Sequence, residues 1–412
     1  VQKSFTQKIS IEQQKLAVLV IIGLFYSLSV AYFFQTLPRA RLTSDLFPRW
    51  HASRMLLTSG RSIYDWENAN EVSAVTGWSK LHQLGYYYPA YMLIFTAPLA
   101  WLPYGAAHII WVMLGLWFLW LSIFIFARLT APNLSLNHLT LLLGLVTTAI
   151  PIFQHTLYAQ FNSIGALSLA LTYWALCRRR YLLAGLLAAG LLFKPQATIV
   201  PLFFILAYAL FRRERWLVWL GLGFAGALLW GVAELLERNW VANFLGTLSS
   251  YERVQPVVDI LRVNPFQLVS LILLGATAGF IFYRRHAAPE SPAFYGMLAF
   301  TLCLNSLIVP MFGMLHIVLM GPVLVILLGG YLTCYPAVAR WLWWGMVMLF
   351  VAGLLAFILP LLLTETTGFQ INSAEIIYRF TLPIALLILS LPLVINSRSA
   401  PVATPAVGTG IS

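Results

Sequence analysis

Charge is scarce in this sequence. Of its 412 residues only 9% are charged and 60% are hydrophobic, whereas a soluble globular domain carries roughly 25% charged residues. A surface facing water on all sides cannot be built from so little charge, which excludes a soluble globular protein. Acidic residues are scarcest: 13 Asp and Glu stand against 25 Lys and Arg, and Asp45, Asp65 and Asp259 are the only aspartates. Cysteine is almost missing. Cys177, Cys303 and Cys334 each lie within or at the end of an apolar run and have no partner at metal or redox spacing. Neither a disulfide framework nor a metal site is therefore expected. No long polar stretch is present to fold as a separate soluble domain, so residues 1–412 read as a single membrane domain.

What fills the chain instead is a succession of apolar runs near the length needed to cross the hydrocarbon core, about 20 residues. Candidate spans are 16–36, 107–128, 138–156, 160–177, 181–193, 196–211, 215–236, 266–283, 293–309, 314–332, 340–362 and 377–396. The first follows Lys3, Lys8 and Lys15, and is too long for a cleaved signal peptide, so it reads as a retained signal-anchor helix. The net charge of +12 sits mostly in short clusters between runs: Arg178–Arg180, Arg212 with Arg213 and Arg215, and Arg284 with Arg285. That distribution is the positive-inside signal of cytoplasmic loops and not a nucleic-acid surface.

Orientation follows from those arginines. With the N-terminus and every arginine cluster inside, twelve spans are self-consistent, both termini are cytoplasmic, and 88–103 is left as an interfacial or re-entrant segment broken by Pro89, Pro98 and Pro103. Loops 37–87 and 238–265 then lie outside. So do ten of the 13 acidic residues, including all three aspartates, with only Glu12, Glu214 and Glu290 inside. Acid–base chemistry, if present, belongs to the non-cytoplasmic face. Residues 181–211 go out and return in two short limbs around Phe193-Lys194-Pro195. Short broken helices that stop inside a membrane protein border cavities, because unpaired backbone is costly in lipid.

On that outer face several side chains invite chemistry. Asp45 begins a stretch, 47–59, that reads as an amphipathic helix on the membrane surface, with Phe47, Trp50, Met55, Leu56 and Leu57 available for the interface. Asp45 or Ser44 is equally placed to cap that helix. Tyr86, Tyr87, Tyr88 and Pro89 close the loop, and Gln160 and Asn162 open a span with amides where apolar residues would cost less. Interhelical hydrogen bonding accounts for such amides as well. Lys194 is either a snorkelling lysine or the partner of an anion. His316 is either a packing residue or part of the site, and Arg253 and Arg262 are either solvated loop residues or cations for phosphate. Together these residues fit an anionic lipid head group and a sugar: cations for phosphate, amides and aromatic faces for hydroxyls, and a carboxylate to take a proton.

At these positions the sequence resembles the polyprenol-phosphate-dependent glycosyltransferases of the GT-C superfamily, and within them glycosyltransferase family 87, which includes mycobacterial mannosyltransferases. The resemblance rests on Asp45-Leu46 with Gly60 and Tyr64, on YYYPAYMLIFTAPLAWLP at 86–103, on Ala159-Gln160-Phe161-Asn162, and on RRRYLLAGLLAAGLLFKP at 178–195. Ala90 stands where the family has a second proline, Ala159 where it has glycine, and Gly313-Met314-Leu315 replaces the Trp-x-His context of His316. The resemblance implies an all-α, GT-C-like polytopic fold of about twelve spans with a helical first outer loop. It implies an inverting transfer of a sugar, mannose or arabinose, from a polyprenyl-phosphate donor to a lipid- or glycan-linked hydroxyl, without a cofactor or metal. Asp45 matches the base, with Asp65 its rival. Lys194, Arg253 and Arg262 would stabilise the leaving phosphate, and Gln160, Asn162, His316, Tyr87 and Tyr88 would line the sugar and acceptor. The alternative is a flippase of lipid-linked saccharides. That would favour polar groups on both faces or internal repeats, and no convincing repeat is found.

Overall fold

A computed structural model describes residues 11–36, 44–78, 84–249, 275–308, 318–363 and 381–396. Among them every regular element is helical. In order these are α1 (Ile11–Thr36), α2 (Leu46–Ser59), α3 (Trp66–Thr76), α4 (Leu93–Ala100), α5 (Tyr104–Thr130), α6 (Leu136–Thr148), α7 (Ile150–Leu157) and α8 (Asn162–Cys177). There follow α9 (Tyr181–Ala188), α10 (Pro195–Leu210), α11 (Leu217–Leu236), α12 (Trp240–Ser249), α13 (Pro292–Ile308), α14 (Met320–Cys334), α15 (Pro336–Leu363) and α16 (Leu382–Asn396). Three stretches among the described residues are long and apolar enough to cross a membrane: Lys15–Phe33 in α1, Tyr104–Thr130 in α5 and Arg213–Leu236 ending in α11. Large apolar side chains on two of them remain exposed, Ile21 and Phe25 on α1 and Phe224 and Leu235 on α11. Exposed apolar stripes of this size suit a hydrocarbon surrounding.

One expected span takes a different form, and two irregular segments are found as expected. The run 138–156 is two helices, parted at Ala149 with ψ 139° and restarted with Pro151 in the first turn of α7. Proline has no N–H to continue a helix but is tolerated in a first turn, so the sequence breaks there. The hairpin 181–211 is present, with α9, a 3-10 turn at Ala189–Phe193, and α10 starting at Pro195. The segment 88–103 holds only a 3-10 turn (Ala90–Met92) and the eight-residue α4. At about 1.5 Å per residue this is too short to cross.

The helices meet through small residues. Where α9 packs on α11, a Cβ added at Gly185 would lie 2.1 Å from the Val218 carbonyl oxygen, and one at Gly221 would lie 2.2 Å from that of Leu182. Backbone thus lies on backbone, the close approach by which helices associate where lipid supplies no hydrophobic drive. One buried cluster runs through α5, α8, α10, α13 and α14, around Phe126, Tyr173 and Phe294. A second lies under α2 and the segment 86–93, around Trp111, Phe161 and Phe193.

The described residues 44–78 of the loop after α1 are largely helical, but α2 does not rest on lipid through Phe47 and Trp50. Both are buried within the protein. Trp50 Nε1 donates to the carbonyls of Leu99 (3.1 Å) and Leu102 (3.2 Å), and Phe47 packs edge-on against Tyr104 with centroids 4.7 Å apart. The contact is polar as well as apolar: carbonyls at the end of α4 have acceptor capacity to spare, and a buried indole N–H usually finds a partner. Met55, Leu56 and Leu57 are half-buried, the two leucines against this same cluster. On the far side Glu71 of α3 takes hydrogen bonds from Arg61 and His51, both at 2.7 Å, which hold its carboxyl below the usual carboxylate range.

Candidate active site

The site grows from the end of α7. Ala159 N–H donates to the Thr156 carbonyl and Gln160 N–H to that of His155, each at 3.0 Å, with Ala159 left-handed at φ 48°. This is a Schellman ending, whose left-handed residue is normally glycine. The alanine that departs from the family pattern thus sits where glycine is cheapest, its carbonyl held by Trp111 Nε1 at 3.1 Å. The turn thereby fixes Gln160 and exposes the Tyr158 carbonyl, which accepts the Asp45 N–H at 2.9 Å.

Asp45 does not cap α2. An N-cap side chain folds back onto its helix only from an extended backbone, and Asp45 is already helical at φ −64°, ψ −21°, with no side-chain cap bond. Its Oδ2 instead accepts from Gln160 Nε2 at 2.5 Å. Ser44 is turned away as well, its hydroxyl 2.6 Å from that of Tyr104. Asp65 is the aspartate that caps. At ψ 128° it accepts the Glu67 N–H at 2.9 Å on an exposed surface.

Lys194 does not snorkel. It is buried, 5% exposed, and its Nζ donates to Gln160 Oε1 at 2.5 Å. Pro195 explains its place: a residue before proline is pushed out of the helical region, and Lys194 lies at φ −140°, ψ 73° between the 3-10 turn and α10. A carboxylate can only accept and an ammonium can only donate. The Gln160 amide therefore turns its nitrogen to Asp45 and its oxygen to Lys194, and one side chain joins three segments far apart in sequence.

Tyr88 forms the wall beside this chain. Lys194 Nζ lies 5.9 Å from its ring centroid and the Arg49 guanidinium carbon 5.1 Å, while Phe161 packs against it at 5.3 Å. Its carbonyl accepts the Tyr64 hydroxyl at 2.8 Å. Burial first, then Tyr86 and Glu237, pushes the Tyr64 phenol well above its usual range, so it stays a neutral donor. Glu237, just past α11, is buried and accepts from Ser62 Oγ (2.7 Å) and the Ile63 N–H (3.0 Å). It anchors the strand of loop that carries Tyr64.

Of the residues picked from sequence, the fold gathers Asp45, Gln160, Lys194 and Tyr88. Asn162 is buried at the start of α8 and Tyr87 is half-buried. Arg253, Arg262 and His316 lie outside the described residues. Two residues were missed, Arg49 and Glu237. The spacing of Asp45 and Arg49, four residues on one helix face, is a signal that points to the first; only a contact distant in sequence reveals the second.

A family model described as glycosyltransferase family 87 matches residues 86–310, more than half of the chain. Gln160, Lys194 and Tyr88 fall within the match, and Asp45 and Arg49 precede it. No curated protein and no solved structure matches.

Proposed function

Because the chain belongs to glycosyltransferase family 87 and is accordingly a glycosyltransferase, we propose that it transfers a sugar, with mannose the leading choice, from a polyprenyl-phosphate donor with inversion at the anomeric carbon. The acceptor is a hydroxyl of a membrane-bound lipid or glycan. The site faces the non-cytoplasmic side of the cell membrane, the chain crosses it about twelve times, and both termini are cytoplasmic.

The observation that carries this reading is the Asp45–Gln160–Lys194 chain. A carboxylate is held without capping its helix, joined through one amide to a buried ammonium. In the proposed step the acceptor oxygen attacks the anomeric carbon while its proton passes to Asp45. The bond from that carbon to the phosphate oxygen breaks, and the oxygen leaves with the electron pair as polyprenyl phosphate. This leaving group needs charge stabilisation and no proton, the part given to Lys194 and to Arg253 or Arg262. Tyr88 offers a ring face to the sugar, with Tyr87, Asn162 and His316 as further contacts. Gln160 sets the carboxylate against the ammonium. No metal takes part in the step as proposed.

The test is release of polyprenyl phosphate from a panel of polyprenyl-phosphate sugars by purified protein in lipid, comparing the wild type with Asp45→Asn. The amide oxygen of asparagine can still accept from Gln160, so the fold persists while the base is gone. Turnover is expected to fall by ~10²–10⁴-fold, the usual worth of a general base. Equal turnover in a folded variant would remove Asp45 from the chemistry.

A further inference from the structure

Arg49 is buried on α2, 6% exposed, one helical turn beyond Asp45. Its Nε is enclosed without a hydrogen-bond partner. Among the described residues the ion pairs join His51 and Arg61 to Glu71 and Arg212 to Glu214, and none includes Arg49. What it does meet is the face of Tyr88, the same ring that Lys194 approaches. Two buried cations therefore share one aromatic wall, with Asp45 the carboxylate linked to this group through Gln160.

That arrangement is unfavourable for a protein at rest. A guanidinium has five N–H donors in a planar fork, and a cation–π contact satisfies none of them. Burying an unpaired charge is costly unless something else pairs with it. Structural arginines answer this with a carboxylate or backbone carbonyls, as Arg215 does through Nη1 with the carbonyls of Tyr208 and Arg285, although its Nε too is enclosed without a partner among the described residues. Among the described residues the Arg49 side chain meets neither a carboxylate nor a backbone carbonyl. A buried guanidinium with its Nε unpartnered among the described residues, beside a second cation and one turn from the proposed base, fits a tetrahedral oxyanion that is present only when substrate is bound.

We propose that Arg49 and Lys194 together seat the phosphate of the lipid donor, and that Arg49 makes the site select a phosphate-bearing polyprenyl lipid over the bare alcohol. The inference rests on the lipid-phosphate donor of the proposed function. Arg49 supplies the bidentate, oriented contact and Lys194 the compact charge. As the anomeric bond breaks, the phosphate gains a negative charge between them. The unliganded protein bears the cost of an unpaired cation, and substrate binding relieves it.

The experiment compares binding of polyprenyl phosphate and of polyprenol of the same chain length to the full chain in lipid nanodiscs. Wild type, Arg49→Met, Arg49→Lys and Asp45→Asn are measured, together with ligand-free thermal stability. Wild type is expected to prefer the phosphate. Arg49→Met should lower that preference by about 10- to 100-fold, the worth of a charge-assisted hydrogen bond, and leave polyprenol binding as it was. Arg49→Lys should fall between them, and Asp45→Asn should keep the preference. Ligand-free Arg49→Met should be at least as stable as wild type, since an unpaired buried charge has been removed; a purely structural arginine would give a loss. A folded Arg49→Met with wild-type preference overturns this inference and leaves the transferase reading standing. Absence of any phosphate preference in the wild type overturns the lipid-phosphate donor and this inference with it. If Arg49→Met fails to fold, Arg49→Lys decides, and an unchanged preference in it is equally fatal.

Discussion

Replacing Gln160 by methionine removes the one side chain that holds the proposed base against the proposed phosphate cation. Methionine keeps the length and volume of glutamine and loses both polar ends. The Asp45 carboxylate then lacks the Gln160 Nε2 donor at 2.5 Å, and the buried Lys194 ammonium lacks the Oε1 acceptor at 2.5 Å. A buried group left without its partner costs about 1–3 kcal/mol, more when charged. This applies to Lys194, while the partly buried Asp45 adds less, so the loss is roughly 1–3 kcal/mol or somewhat more. Part of this returns if the ammonium and carboxylate close into a direct ion pair. Closure is itself damaging, because it neutralises the base and withdraws the cation from the phosphate. Either way kcat/KM for sugar release should fall by about 100-fold, equivalent to about 2.7 kcal/mol, and thermal stability should drop with it. Gln160→Glu separates geometry from charge. Two carboxylates at hydrogen-bond distance cannot both ionise, so the pair holds a proton and its upper apparent pKa rises. A base that must first lose that proton works only above the raised value, so activity should be low near neutrality and climb with pH. The measurement is turnover by both variants from about pH 5 to about pH 9, spanning the range above ordinary carboxylate values. Wild-type turnover and stability in Gln160→Met, or a wild-type pH profile in Gln160→Glu, would refute the bridge as a functional unit.

Two other substitutions probe the supports of the site. Ala159→Gly should raise stability by roughly 1 kcal/mol with turnover unchanged, because φ 48° strains any residue with a Cβ; a fall in melting temperature would contradict the turn described above. Glu237→Ala should cost about 1–3 kcal/mol by orphaning the buried Ile63 N–H. It should also speed proteolysis between Arg61 and Asp65 and reduce turnover, and an unchanged cleavage rate would show that Glu237 does not hold this loop.

The sequence was most informative where a local rule governs. Lys194-Pro195 announced the turn of the hairpin because proline imposes its geometry on its own residue and the one before it. Gln160 stood out because an amide opening an apolar run is expensive unless used. Arg49 was passed over for the opposite reason: an arginine among the polar residues of an outer loop costs nothing as long as it is imagined in water. Its burial follows from α2 packing onto α4 and Tyr104, which the pattern of residues 46–59 did not predict, since the apolar side chains taken for a lipid-facing stripe are partly committed to protein. Glu237 escaped notice similarly, because its partners Ser62 and Ile63 are about 175 residues away and nothing local marks the pairing. The break at Ala149 was in principle legible, since Pro151 lies inside the run, but hydropathy alone does not distinguish one span from two shorter helices.

Asp45 and Asp65, both in the loop after α1, show how closely function depends on a backbone angle. Asp45 and Asp65 each stand immediately before a helix, and residue type alone gives both the same expected role. At Asp65 the backbone is extended, ψ 128°, and the side chain turns back to satisfy its helix. At Asp45 the chain is already helical, ψ −21°, and its N–H is taken by the Tyr158 carbonyl at the end of α7. The carboxylate is thus kept from the helix it precedes and given to Gln160. An N-cap contributes about 1 kcal/mol, and α2 forgoes that contribution. A carboxylate satisfied by backbone N–H groups would be a poorer base, since such bonds stabilise its charged form. With its backbone already helical and its N–H on the turn after α7, Asp45 forgoes the ordinary role of a helix-starting aspartate, and its carboxylate is left placed for proton transfer. The same turn also supplies Gln160, so the contact to the Asp45 backbone and the bridge to Lys194 arise from one short piece of structure, Tyr158–Gln160.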